Sequence, residues 1–77
     1  MSKALVLITV DSGTDTKVVE ELKKVSSIEE IYEVYGAYDI IAMVEGDSNS
    51  KIKETVFNNI RRLEHVKSTL TMMIVED

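Results

Sequence analysis

Apolar residues fill the stretch from Ala4 to Val10 except at Thr9, and they occupy odd and even positions alike. That pattern predicts a central strand covered on both faces, because a half-exposed strand alternates. Asp11-Ser12-Gly13-Thr14 reads as a turn, with Thr14 or Asp15 as cap for a helix. Val18, Leu22 and Val25 then recur at i, i+4 and i+7, a single apolar stripe with Glu20, Glu21, Lys23 and Lys24 outside it. From Ile28 to Tyr35 the apolar residues are broken by Glu29, Glu30 and Glu33, which predicts a second strand at an exposed edge. Gly36-Ala37 forms a short connection, so this strand pairs as a hairpin with a third, Tyr38 to Glu45. Gly46-Asp47-Ser48 supplies a turn and cap. Ile52, Val56, Ile60 and Leu63 predict a second amphipathic helix, and Val66 to Val75 a last strand.

The order is β-α-β-β-α-β. A constant offset lays Val10 on Val44, Val18 on Ile52 and Leu22 on Val56, and nearly the same offset lays Ile31 on Val66. Two such halves interleaved in one antiparallel sheet give an α+β, ferredoxin-like sandwich. Right-handed crossovers place both helices on one face. The opposite face then has no cover, although strands one, three and four are apolar at both parities. Which set faces the helices is open at this stage. Such a face exceeds the apolar patch that soluble monomers usually show, so the pattern predicts that two sheets pack together with two-fold symmetry, a dimeric αβ-barrel.

Size points the same way. The chain has 77 residues and no cysteine. A domain this small is marginal alone, and neither disulfides nor thiolate metal sites can reinforce it. The charge of −5 argues against direct nucleic-acid binding, which needs clustered Lys and Arg. No hydrophobic stretch is long enough for a bilayer, no signal peptide is evident, and a cytoplasmic location is the default expectation. The whole of 1–77 reads as one domain, without proline, linker or low-complexity segment.

Other chemistries of this fold fail at their residues. An RNA-recognition domain needs aromatic residues on the central strands, which here read ALVLITV and YDIIAMVE. No glycine-rich phosphate loop is present. His65 is the sole imidazole and has no partner set for nucleophilic catalysis or for a metal. No catalytic residue, metal or cofactor is expected. Met43, Met72 and Met73 read as core or interface filler, and the glutamates as solvated faces.

Two stretches carry a resemblance. Gly36-Ala37-Tyr38-Asp39-Ile40-Ile41 followed by Val44 is the first. The second is Val66-Lys67-Ser68-Thr69-Leu70-Thr71-Met72-Met73-Ile74-Val75, preceded by Asn59-Ile60 and Leu63. Together they resemble the effector-binding (RAM) domain of the Lrp/AsnC transcription regulators. There the hairpin reads roughly Gly-x-Tyr/Phe-Asp, and the last strand Val-x-x-Thr-x-Thr-x-x-Val. Full regulators of that family carry a helix-turn-helix domain before this one. Here the first strand starts within a few residues, so a stand-alone form that does not itself bind DNA is expected.

The resemblance implies homodimers formed through the sheet, gathered into octameric or decameric rings, with an amino-acid effector between dimers. A full-length Lrp/AsnC regulator is an implied partner. Transferred residue by residue, the effector-binding set is Gly36, Ala37, Tyr38, Asp39, Thr69 and Thr71. The chemistry suits those roles. Gly36 admits a positive φ and a close backbone approach, Asp39 accepts from an ammonium, Tyr38 gives a wall with a polar tip, and Thr69 and Thr71 point to one face of their strand. Plain roles stay beside these: a hairpin glycine, a turn-capping aspartate, packing tyrosines, strand-forming threonines. Two other classes remain open. One is a small dimeric αβ-barrel enzyme of isomerase or monooxygenase type, which needs a polar cavity between sheet and helices. The other is an ACT-like metabolite-binding module, with its ligand near Asp11 to Thr14.

Overall fold

The computed structural model describes residues 1–75; the last two residues of the expected 1–77 domain lie outside the described part. Its elements are β1 (Ser2–Val10), α1 (Asp15–Leu22), β2 (Ile28–Glu33), β3 (Ile40–Gly46), α2 (Asn49–Thr55), which runs on into a π-helical turn (Val56–Ile60), and β4 (Val66–Met73). The strands form one antiparallel sheet in the order β2-β3-β1-β4, the ferredoxin-like arrangement. The glutamate-broken strand β2 is an edge, as its pattern predicts.

The face left undecided by the sequence is settled by burial. Ala4, Val6, Ile8 and Val10 of β1, with Ile40, Ala42 and Val44 of β3, are buried under the helices. They meet Val18 and Leu22 of α1, and Ile52, Val56 and Ile60 from α2 and its continuation. The other parity, Leu5, Leu7, Ile41 and Met43, lies on the open face and is half-buried. In β4 the antiparallel register puts Thr69 and Thr71 opposite Ile8 and Val6, on the helix side, and Leu70 and Met72 opposite Leu7 and Leu5, on the open side.

Several boundaries differ from expectation; the last strand, for one, stops at Met73 rather than Val75. The β2–β3 connection is not Gly36-Ala37 alone but runs from Val34 to Asp39. Asp39 bridges the hairpin and β1: its amide donates to the Ile8 carbonyl at 2.9 Å, while its own carbonyl accepts from the Val34 amide at 2.9 Å. The first helix stops at Leu22, so Val25 is not on its stripe. The second helix ends at Ile60 rather than Leu63, after a wider turn closed by the Arg61 amide donating to Val56 at 2.8 Å. In an α-helix a four-residue spacing overshoots a full turn by about 40° at each step. A turn with i→i+5 bonding rotates the stripe back, and Ile52, Val56 and Ile60 all stay buried. Ser48 caps α2 as expected, accepting from the Lys51 amide at 3.1 Å. Thr14 instead spends its hydroxyl on the Asp11 carbonyl, at 2.6 Å, and makes no side-chain cap on α1.

Candidate functional site

The six residues of the expected effector set fall into two groups, on either side of β1. Gly36, Ala37, Tyr38 and Asp39 lie in the connection that joins β2 to β3. Gly36 and Ala37 are exposed; Tyr38 and Asp39 are half-buried. Asp39 is held firmly, because its Oδ2 accepts from the Val10 amide at 2.9 Å. Gly36 departs from expectation. The left-handed conformation is absent there and occurs instead at Gly13, with φ 80°, and at His65, with φ 79°. The Gly36 Cα faces open space, where a Cβ would meet nothing within 4 Å. The position leaves the backbone uncrowded and needs no special φ.

Thr69 and Thr71 do share one face of β4, as their alternation requires. Their face looks toward the second helix. Between that helix and the β4 edge runs a cleft of about 390 Å³ lined by Lys53, Val56, Phe57, Arg61, Thr69 and Thr71. Around the side of Arg61 a second cleft, of about 370 Å³, is lined by Val66, Lys67, Ser68 and Thr69 as well. Either is of a size to hold an amino acid. The Phe57 ring, half exposed, lies under two guanidinium groups: Arg61 at 5.7 Å and Arg62 at 5.3 Å from its centroid. The buried stripe of the helix does not mark Lys53, Phe57 and Arg61. Their signal is the same four-residue spacing displaced by one position from Ile52, Val56 and Ile60.

The open sheet face has the anatomy of an interface. Leu5, Leu7, Ile41, Met43, Leu70 and Met72 form its apolar centre, with Leu70 47% and Met72 45% exposed. Polar groups close both ends. Lys3 lies 3.6 Å from Glu29 and 3.7 Å from Glu45, and at the far end Thr9 and Ser68 share a hydrogen bond. A greasy centre with a polar rim is the usual layout of a protein interface.

A third feature lies beside α1. His65 Nδ1 is 3.2 Å from Asp11 Oδ2, and the Asp11 amide donates to the His65 carbonyl at 2.8 Å. This ties the turn after β1 to the start of β4. A groove of about 570 Å³ opens next to it, bounded by Lys17, Glu20, Arg62 and His65 among others. Among the described residues no group of three or more metal-ligating side chains occurs, and no helix is long and apolar enough to cross a membrane.

Fold and surface together define a ferredoxin-like βαββαβ domain with one sheet face left open and polar clefts at its edges. The chain belongs to the Lrp/AsnC ligand binding domain family, whose model matches residues 3–77. It is similar to the homocitrate synthase of Sulfolobus acidocaldarius, 31% identical over 74 residues, which are 95% of this chain and 16% of that enzyme. The chain thus spans about a sixth of the curated relatives it matches. Among solved structures it is similar to FFRP-DM1, with TM-score 0.92 and 31% identity over 97% of this chain and 100% of that one. It shares its fold with Escherichia coli AsnC, with TM-score 0.92, 19% identity, and coverage of 99% of this chain and 52% of that one. The same holds for the Neisseria meningitidis transcriptional regulator NMB0573 in complex with L-Met, with TM-score 0.87, 9% identity, and coverage of 99% and 51%.

Proposed function

We propose that the chain is a small-molecule-sensing and assembly module. It binds an amino acid or a related metabolite between copies of itself and acts by changing its own assembly or that of a larger regulator, with no DNA reading or catalysis of its own. The observation that carries this reading is the separation of the two groups of candidate residues by β1. The hairpin group and the threonine cleft are each half a site, and a second copy is needed to close them on one ligand. Dimers packed through the apolar sheet face, gathered into rings such as an octamer or decamer, supply that second copy. Asp39 keeps one carboxylate oxygen, Oδ1, beyond its bond to Val10 and can offer it to a ligand ammonium.

The comparisons support a sensing role. The fold occurs in transcription regulators, one of them in complex with L-Met, and a similar segment makes up a small part of a homocitrate synthase. A module found in both settings is more simply a sensor than a reader of DNA or a catalyst. The enzyme alternative needs a polar cavity between sheet and helices. That space is filled by apolar side chains, and no polar side chain is buried among the described residues. The ACT-like alternative places its ligand at Asp11–Thr14, where the turn is already tied to His65.

The reading is tested by titrating the twenty amino acids while following thermal unfolding and sedimentation. A ligand present at about 100 times its Kd adds about 2.7 kcal/mol, which raises the midpoint of a domain this size by roughly 10 °C or more. At least one amino acid is expected to do so and to shift the oligomer distribution. If none moves either quantity, the sensing role falls.

A further inference from the structure

The chain carries 14 acidic residues against 9 Lys and Arg, yet neither cleft beside Arg61 has a carboxylate in its lining. Their charged residues are Lys53, Arg61 and Lys67, and their polar residues Ser68, Thr69 and Thr71. None of these three cations has an ion-pair partner within 4.0 Å among the described residues, a state they share with Lys17, Lys23 and Arg62, whereas Lys3, Lys24 and Lys51 are paired. In an acidic protein, cations left unpaired around hydroxyl-lined clefts are free to receive an anion from solution.

The geometry of Arg61 adds to this. Its guanidinium is held over the Phe57 ring, and the residue borders both clefts. A guanidinium is weakly hydrated and planar, and its fork matches the two oxygens of a carboxylate. Seating it on an aromatic face reduces the freedom lost when it binds. Lys53 and Lys67 are point charges on flexible stems to either side.

We infer that the threonine clefts form the anion-recognising half of the effector site, and that the ligand they select is an acidic amino acid. The inference rests on the sensing role proposed above. A neutral amino acid brings a single carboxylate. An acidic one brings two, enough to engage Arg61 and a flanking lysine while its ammonium turns to the hairpin half and Asp39. A basic side chain entering the clefts would meet Lys53 and Arg61 with no carboxylate to balance it, a repulsion that works as a selectivity device.

Glutamate and glutamine have nearly the same shape and differ in this charge, so they make the decisive pair. Calorimetric titrations with L-glutamate, L-glutamine, L-lysine and inorganic phosphate, joined to amide chemical shifts, read the outcome. Glutamate is expected to bind about tenfold or more tighter than glutamine, as a charge-assisted contact allows, and lysine more weakly than either. The Thr69 and Thr71 amides should shift with glutamate. Arg61→Gln should bring glutamate and glutamine within about twofold of each other, and Arg61→Lys should restore part of the gap. Glutamine or lysine binding as tightly as glutamate, with the same amides shifting, sinks the acid selectivity and leaves the sensing role standing. No amino acid moving those amides sinks both. Phosphate moving them while glutamate does not would make the clefts a phosphate site and overturn the inference.

Discussion

The Oδ2 atom of Asp39 accepts a hydrogen bond from the Val10 amide at 2.9 Å, fastening the start of β3 to the end of β1. The β1–β3 ladder ends at the Ile8–Ile40 pair, and beyond it a side chain supplies the acceptor for the next amide of β1 on that side. Asp39 therefore has a structural duty as well as its proposed one toward a ligand. Asp39→Ala strands a part-buried amide and should lower stability by about 1–2 kcal/mol. Asp39→Asn keeps an acceptor and should cost less than half of that. Urea midpoints at constant m-value read the difference, and an alanine variant as stable as the parent would show that the bond contributes nothing. The asparagine variant is accordingly the one to use in ligand titrations, because it removes the charge and spares the anchor.

Gly13 and Gly36 should respond in opposite directions to alanine. Gly13 holds φ 80°, and a Cβ there meets nothing within 4 Å, so the cost is purely conformational, about 1 kcal/mol. Gly36 has no positive φ and equally open surroundings. There alanine should be neutral or stabilising by up to about 1 kcal/mol, by narrowing the unfolded ensemble. Thermal midpoints of the two variants, measured at one protein concentration, check the contrast. A marked loss at Gly36 would contradict its conformation.

That contrast shows where the sequence could be read and where it could not. The order of elements, the edge position of β2 and the Ser48 cap follow from local patterns and appear in the structure. A glycine in a turn is equally visible, but its φ depends on what the neighbouring backbone bonds to. At Asp39 the partner is β1, distant in sequence, and no local rule gives that. Which parity of β1, β3 and β4 faces the helices was also illegible, because both are apolar. Thr69 and Thr71 share one face of β4 as their alternation requires, yet their neighbours Lys53, Phe57 and Arg61 come from a helix whose π-helical turn no periodicity of the core stripe announces.

Tyr32 should titrate above the ordinary phenol range. Its hydroxyl donates to Glu30 Oε2 at 2.6 Å, and first that bond, then the carboxylate's charge, favours the protonated form. A group whose folded pKa is raised contributes its stability in full below the unfolded value, near 10, and loses it as pH rises through the folded one. Phenolate absorbance followed through the alkaline range measures this directly. Glu30→Ala should bring the Tyr32 titration back toward the ordinary range. An unchanged titration would mean that the pair does not persist in solution.

Leu7 and Leu70 face each other across the β1–β4 ladder, and Leu5 faces Met72 beside them, all on the side of the sheet that no helix covers. The six apolar side chains of this face present on the order of several hundred Å². At about 25 cal/mol per Å², covering them gains several kcal/mol even after the entropy lost on association. The same area limits the damage of a substitution, because the fold's own core lies on the opposite face and includes none of these residues. Leu70→Glu should therefore separate assembly from folding. A carboxylate desolvated in an apolar seam has no partner there, so the variant should sediment as a single chain at micromolar concentration. Its far-UV circular dichroism should stay that of the parent, and its thermal midpoint should fall. Lys23→Glu, an exposed change at the end of α1, should leave the mass unaltered. If the parent itself sediments as a single chain, the open face is not a seam between copies, and the two halves of the proposed site never meet.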